Sequence, residues 1–276
     1  MKVAFQGERG AYSENAILAY YGRQVTTVPC ETFELVFTTV QEGVCERGLV
    51  PIENSLAGSV HRNYDLLLKH QLSITGEYHL RVRHCLVGIP GATIPEIKQI
   101  ISHPQALAQC EGFVHQLGAT ASPAYDTAGS LKIILEKADR SFAAIASRQA
   151  AELYQMEILA EGIEDDPANF TRFLTISTQP EIPTGIAKTS IVFTLKNIPG
   201  ALYKALSVFA LRDIDLTKIE SRPLIGKPWE YLFYIDFAGS VAEKSVSRAL
   251  ENLSEYALTL RLLGSYPRHL LQNGSA

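Results

Sequence analysis

The stretch QPEIPTGIA, residues 179–187, carries two prolines and a glycine between two strand-like runs. Proline has no N–H for a ladder and glycine costs order, so the stretch reads as a linker. It separates two parts of the chain whose patterns differ.

Upstream, strands and helices alternate. KVAFQ (2–6) is a strand. SENAILAYYG (13–22) follows as a helix, with Ser13 as N-cap and Gly22 as its stop. GLVPIEN (48–54) is a strand and residues 60–70 a helix. LSITGEYHLRVRHCLVGI (72–89) is a long, partly alternating strand region that marks where the chain passes between two lobes. IKQIISH (97–103) leads into a helix, PQALAQCEGFVHQLG (104–118), with Pro104 in its first turn. AYDTAGSLKIILEK (124–137) repeats the pattern, capped by Asp126 or Thr127. SFAAIAS (141–147) is a buried strand and RQAAELY (148–154) a short helix. Such alternation predicts an α/β architecture with mostly parallel sheets.

Downstream the order changes. KTSIVFTL (188–195) is a strand and GALYKALSVFALRD (200–213) an amphipathic helix. IDLTKIESRP (214–223) and WEYLFYIDF (229–237) are strands, VAEKSVSRALENLSEYA (241–257) is a helix, and LTLRLLGSY (258–266) a last strand. That is βαββαβ, the ferredoxin-like arrangement.

The chain is 46% hydrophobic and 20% charged, with net charge −4. This fits a soluble globular protein, and argues against a nucleic-acid or membrane partner. MKVAFQGERG lacks the apolar core of a signal peptide, and no run is long enough to span a bilayer. Cys30, Cys45, Cys85 and Cys110 are scattered without a CxxC pair, and the seven histidines lack HExxH spacing. Free thiols in a reducing cytoplasm and no metal site are expected.

In open α/β sheets ligands bind off the strand ends, where helices begin. The first such turn holds Gly7 and Gly10, without GxGxxG spacing, so a dinucleotide fingerprint is unsupported. The second holds Asn54, Ser55, Gly58 and Ser59. The third holds Ser102 and His103, with Gln109 further along the helix; an N-cap role would also explain Ser102. The fourth is NFTRF, residues 169–173, after the acidic run EGIEDDP (161–167). On a strand Thr171 and Phe173 share one face and Phe170 and Arg172 the other, so Arg172 would not face a cleft that Thr171 faces. The inventory is neutral, with amides and hydroxyls but no carboxylate pair and no Ser-His-Asp or Cys-His arrangement. Proton abstraction needs a tuned base. A reaction whose electrons come from a departing carboxylate needs anchoring sites and a hydroxyl to help a leaving group go.

NFTRF resembles the Thr-Arg-Phe signature of prephenate dehydratases. GERGAYSE, PIENSLAGSVHRNYDLLL and SHPQALAQC are similar to that family's other blocks, in the same order, and GALYKAL and KIESRP to the phenylalanine-binding motifs of its ACT domain. The resemblance covers nearly the whole chain. It implies a two-lobed, periplasmic-binding-protein-like catalytic region (1–179) followed by a βαββαβ ferredoxin-like ACT regulatory domain (188–270). It implies the monofunctional type, without a chorismate mutase segment. The reaction implied is conversion of prephenate to phenylpyruvate, carbon dioxide and water without cofactor; arogenate as substrate and a non-catalytic amino-acid sensor are the alternatives. Thr171 would assist loss of the ring hydroxyl, and Asn54, Ser102 and Gln109 would hold the substrate, with Ser55, Arg172 and Phe173 as further substrate-binding candidates. L-phenylalanine would bind at Asn197, Gly200, Ala201, Leu202, Glu220, Ser221, Arg222 and Pro223, between paired ACT domains of a homodimer or homotetramer.

Overall fold

The computed structural model describes residues 1–224 and 226–270. The elements run β1 (Lys2–Gln6), α1 (Tyr12–Tyr21), β2 (Thr26–Cys30), α2 (Phe33–Gln41), β3 (Arg47–Asn54), β4 (Gly58–Ser59), α3 (His61–Lys69), β5 (Ser73–Arg81), β6 (Cys85–Gly88), β7 (Gln99–Ser102), α4 (Pro104–Ala108), α5 (Glu111–Leu117), β8 (Thr120–Pro123), α6 (Gly129–Lys137), β9 (Phe142–Ala146), α7 (Arg148–Leu153), β10 (Glu157–Glu161) and β11 (Phe170–Ser177). Then follow β12 (Ala187–Leu195), α8 (Ala201–Ala210), β13 (Leu216–Pro223), β14 (Tyr231–Ala238), α9 (Lys244–Tyr256) and β15 (Ala257–Pro267). The chain divides into two compact units. The first holds Met1–His70 and Tyr78–Leu174, the second Gln71–Glu77 and the chain from Thr175 onward. The division falls within β5 and β11.

Two sheets are built from the strands that precede β12 in this α/β fold. One has the order β2-β1-β3-β11-β5 with β4 paired to β3; the other is β10-β6-β9-β7-β8. They are mixed rather than mostly parallel. β1 pairs parallel with β2 and β3, and β7 with β8 and β9, but β6 pairs antiparallel with β9 and β10. Alternation of strand and helix does not reveal strands that enter or leave a lobe without a crossover helix. The strand β2 escapes the sequence pattern because Pro29 interrupts it; β2 lies at the sheet edge, where a missing N–H is tolerated. The expected helix over 104–118 is two helices, and the strand region 72–89 breaks between β5 and β6.

In the first unit Val3, Phe5, Ile17, Leu49, Val87, Ile101, Leu131 and Phe173 share one buried core. Each such aliphatic or aromatic side chain stabilises by about 1.5–3 kcal/mol through removal from water. Ser13 does not cap α1; the N-cap is Ala11, without a side-chain hydrogen bond. Asp126 Oδ1 accepts from Ala128 and Gly129 N–H, fastening the start of α6 as expected.

The second unit carries the βαββαβ sheet, ordered β13-β14-β12-β15. Ile191, Phe193, Phe209, Ile235, Phe237 and Leu253 form its core. Gly200 caps α8 at φ 78°. A Cβ there would meet nothing within 4 Å, so the backbone, rather than a crowding neighbour, selects glycine. At Gly264 the reason is the reverse, since a Cβ would collide with the Ile74 carbonyl oxygen. Lys188 Nζ lies 2.8 Å from Glu77 Oε2, both buried.

Candidate active site

A cavity of about 510 Å³ opens in the first unit, where β1 and β3 end and α1, α2 and α4 begin. Asn54 is the last residue of β3. Ser55 N–H donates to the Phe170 carbonyl at 2.8 Å, which sets the start of β11 beside the end of β3. Thr171 thereby reaches the cavity although it sits at a strand's beginning.

Asn54 organises the wall. Its Oδ1 accepts from Leu56 N–H (3.1 Å) and Ala57 N–H (2.9 Å). That fixes the amide's orientation, so Nδ2 donates to Asn169 Oδ1 (2.8 Å), the Phe170 carbonyl (3.1 Å) and Thr171 Oγ1 (3.1 Å). Thr171 Oγ1 is thus an acceptor toward Asn54. Among the described residues its own O–H meets no acceptor, and Thr171 lines the cavity. Asn169 Nδ2 donates to Gln109 Oε1 at 3.0 Å, and Gln109 Nε2 approaches Asn54 Oδ1 at 3.4 Å. Asn54 and Asn169 are buried, so these amides act in a low-dielectric setting that strengthens each bond.

Asn54, Gln109, Thr171 and Phe173 come together on the cavity wall, and Ser102, Ser55 and Arg172 do not. Ser102 is fully buried and donates to the Ile145 carbonyl at 2.6 Å, away from the cavity wall and without capping α4. The N-cap of α4 is His103, whose Nδ1 accepts from Gln105 N–H. Ser55 Oγ donates to the Ala168 carbonyl (2.6 Å) and accepts from Phe170 N–H (2.9 Å), pinning the loop before β11. Arg172 is buried and its Nη1 lies 3.2 Å from Glu53 Oε1, because alternation turns it to the opposite face from Thr171. Phe173 is 2% exposed and belongs to the core beneath the cavity.

Sequence reasoning missed Asn169, His84, Tyr12 and Arg62. Asn169 was legible, since 169, 171 and 173 share a strand face. Tyr12 and Arg62 lie inside the blocks GERGAYSE and PIENSLAGSVHRNYDLLL without a spacing that singles them out, and His84 carries no local signal. Arg62 and the starts of α1 and α2 bring positive potential to the cavity, while the carboxylates of Glu31 and Asp126 also line it. His84 Nε2 lies 3.0 Å from Gln109 Oε1, and His84 Nδ1 2.8 Å from the Tyr12 hydroxyl. Burial lowers the His84 pKa and raises that of Tyr12. The four cysteines are free and buried. Burial pushes the Cys85 thiol up to about 11 and the Cys110 thiol higher still, so neither supplies a thiolate. Among the described residues no group of three His, Cys, Asp or Glu side chains could hold a metal ion. Among the same residues no helix is long and apolar enough to cross a membrane.

The prephenate dehydratase family model matches residues 3–181. An arogenate/prephenate dehydratase of Arabidopsis thaliana, named chloroplastic, is 49% identical over 278 residues, covering 97% of this chain and 73% of the relative. Among solved structures, the Arthrobacter aurescens prephenate dehydratase in complex with L-Phe is 34% identical, with TM-score 0.89, over 97% of this chain and 90% of that one. GqqA, described as a novel type of quorum quenching acylase, is 39% identical with TM-score 0.91, over 98% of each chain. The match spans both sheets of the first unit and the whole cavity wall, and the chain belongs to the prephenate dehydratase family of lyases.

Proposed function

We propose that this chain converts prephenate to phenylpyruvate, with Thr171, Asn54 and Gln109 as the residues that touch the substrate. The observation that carries the reading is the Asn54 to Thr171 hydrogen bond, which leaves the Thr171 O–H to donate into the cavity. In the reaction the ring carboxylate departs as carbon dioxide. Its bonding electrons move through the diene, and the carbon–oxygen bond at the far ring carbon breaks. The leaving hydroxyl takes one proton, relayed from bulk water through the Thr171 hydroxyl, and departs as water as the ring becomes aromatic. Thr171 donates a hydrogen bond to that oxygen, and the amides of Asn54 and Gln109 hold the substrate in place. Arg62 and the starts of α1 and α2 favour the substrate's carboxylates. Ser102 and Ser55 act as positioning residues behind the wall, Arg172 anchors β11 through Glu53, and Phe173 floors the cavity.

A second reading, arogenate as substrate, draws on Glu31 and Asp126. Their carboxylates would pair with the ammonium group that arogenate carries in place of a keto group. Steady-state turnover of the intact chain on both substrates tests the pair. A higher kcat/KM on prephenate supports the first reading, and a higher one on arogenate replaces it. An acylase would need an activated nucleophile. The partner of Thr171 Oγ1 is an amide N–H donor rather than a base, so this geometry supports dehydration instead.

In this reading residues 1–179 are the catalytic domain and residues 188–270 an ACT domain that binds L-phenylalanine. The effector would sit by Asn197, Gly200, Ala201 and Leu202 and by Glu220, Ser221, Arg222 and Pro223. Support comes from the βαββαβ order and the left-handed Gly200 at the start of α8. The exposed apolar side chains Ile219, Leu258 and Leu262 favour a homodimer or homotetramer. Free buried thiols fit a cytoplasmic location, and no cofactor or metal enters the reaction as written.

A further inference from the structure

We propose that His84, locked by Tyr12 as the neutral Nε2–H tautomer, is a positioning residue that holds Gln109 in the orientation required by the amide chain ending at Thr171. The inference rests on the dehydratase reading for its kinetic consequence, but not for its geometry.

Gln109 Oε1 lies 3.0 Å from His84 Nε2 and 3.0 Å from Asn169 Nδ2. A carbonyl oxygen only accepts, so His84 Nε2 must carry a hydrogen. The Tyr12 hydroxyl lies 2.8 Å from His84 Nδ1 and 2.9 Å from the Arg83 carbonyl. A phenol has one proton. If that proton served Arg83, Nδ1 would also need a hydrogen and the ring would be an imidazolium. Burial opposes that charge at His84, and burial keeps Tyr12 protonated. The phenol proton therefore goes to Nδ1. The Tyr12 ring meets the imidazole edge-on, at 5.4 Å and 85°, which holds the hydroxyl in line. Both ring nitrogens of His84 are engaged, so neither is left for substrate.

The consequence runs outward. With Oε1 turned to His84 and Asn169, Gln109 presents Nε2–H toward Asn54 Oδ1 and the cavity. Asn54 Oδ1 also accepts from two backbone N–H groups, so its Nδ2 faces Thr171 Oγ1. Remove the Tyr12 hydroxyl and His84 is free to carry its proton on Nδ1. An Nε2 lone pair would then face the Gln109 carbonyl, and the Gln109 amide would turn over. It would set its oxygen against Asn54 Oδ1 and withdraw a donor from the substrate.

Nitrogen-15 labelling of histidine in the intact protein reads the tautomer without any turnover. The expected spectrum shows His84 neutral at neutral pH, with the proton on Nε2. An imidazolium, or an Nδ1–H tautomer, overturns the proposal even if no substrate is turned over. Kinetics form the second arm. Tyr12→Phe, nearly isosteric, is expected to lower kcat roughly tenfold with KM changed much less. His84→Gln, which can keep a donor near the Nε2 position, should retain most activity, and His84→Leu should lose it. Wild-type kcat in Tyr12→Phe, or equal loss in His84→Gln and His84→Leu, would contradict the positioning role. Absence of turnover by the wild-type chain on prephenate and arogenate would contradict the dehydratase reading alone.

Discussion

The side-chain N–H of Asn54 donates to Thr171 Oγ1 across 3.1 Å, joining the end of β3 to the start of β11 through two residues 117 positions apart. The same amide nitrogen reaches Asn169 and the Phe170 carbonyl, so one buried group holds three acceptors of the opposing strand.

Asn54→Asp keeps shape and removes those donors. A carboxylate oxygen would face Asn169 Oδ1, the Phe170 carbonyl and Thr171 Oγ1 in a buried setting. The expected cost is roughly 2 kcal/mol or more in folding stability. Urea unfolding measures it; an unchanged midpoint and slope would mean that the amide is not structurally required.

Stability should also respond to pH through His84. Its folded pKa lies below the ordinary 6.5 because of burial. Below about 6.5 the unfolded chain takes up a proton that the folded chain resists. The contribution is therefore present above 6.5 and lost as pH falls toward the depressed folded value. Melting temperature should drop over that window in the wild type and less in His84→Gln. Other groups, including His269, whose pKa burial also lowers, act in both proteins and cancel in the difference. Parallel curves for the two proteins would contradict the assignment.

Much of this site was legible, and the losses have physical reasons. The period-two rule separated Thr171 and Phe173 from Arg172, and the structure pairs Arg172 with Glu53 on the other face. The same rule extends to Asn169, because an asparagine two residues before a cavity-facing threonine shares its face. Ser102 has the right residue type at the right strand end, yet the Ile145 carbonyl on a strand 43 residues away consumes its hydroxyl. Strand order, which no local pattern carries, decides that. It also decides that β11 brings its beginning rather than its end to the cavity. His84 and Tyr12 lie 72 positions apart and meet only through tertiary packing.

The proposed control by L-phenylalanine has a built-in reporter. Trp229 is the chain's single tryptophan and is 78% exposed. Its carbonyl accepts from Asn197 Nδ2 at 3.3 Å, which ties it to the segment leading into α8. Titration with L-phenylalanine is expected to change the emission saturably, and D-phenylalanine is not. No change with either, together with no heat in calorimetry, would contradict the proposed effector site. Gly200→Val is a poor probe of that site, because a β-branched residue at φ 78° strains the helix start whether or not a ligand binds.

The most direct test is turnover by Thr171→Val beside Thr171→Ser. Valine is nearly isosteric and lacks the hydroxyl, while serine keeps it. The account predicts that Thr171→Val loses roughly 10²-fold or more in kcat with folding intact, and that Thr171→Ser retains most of it. Near wild-type kcat in Thr171→Val would contradict the claim that this O–H helps the hydroxyl leave.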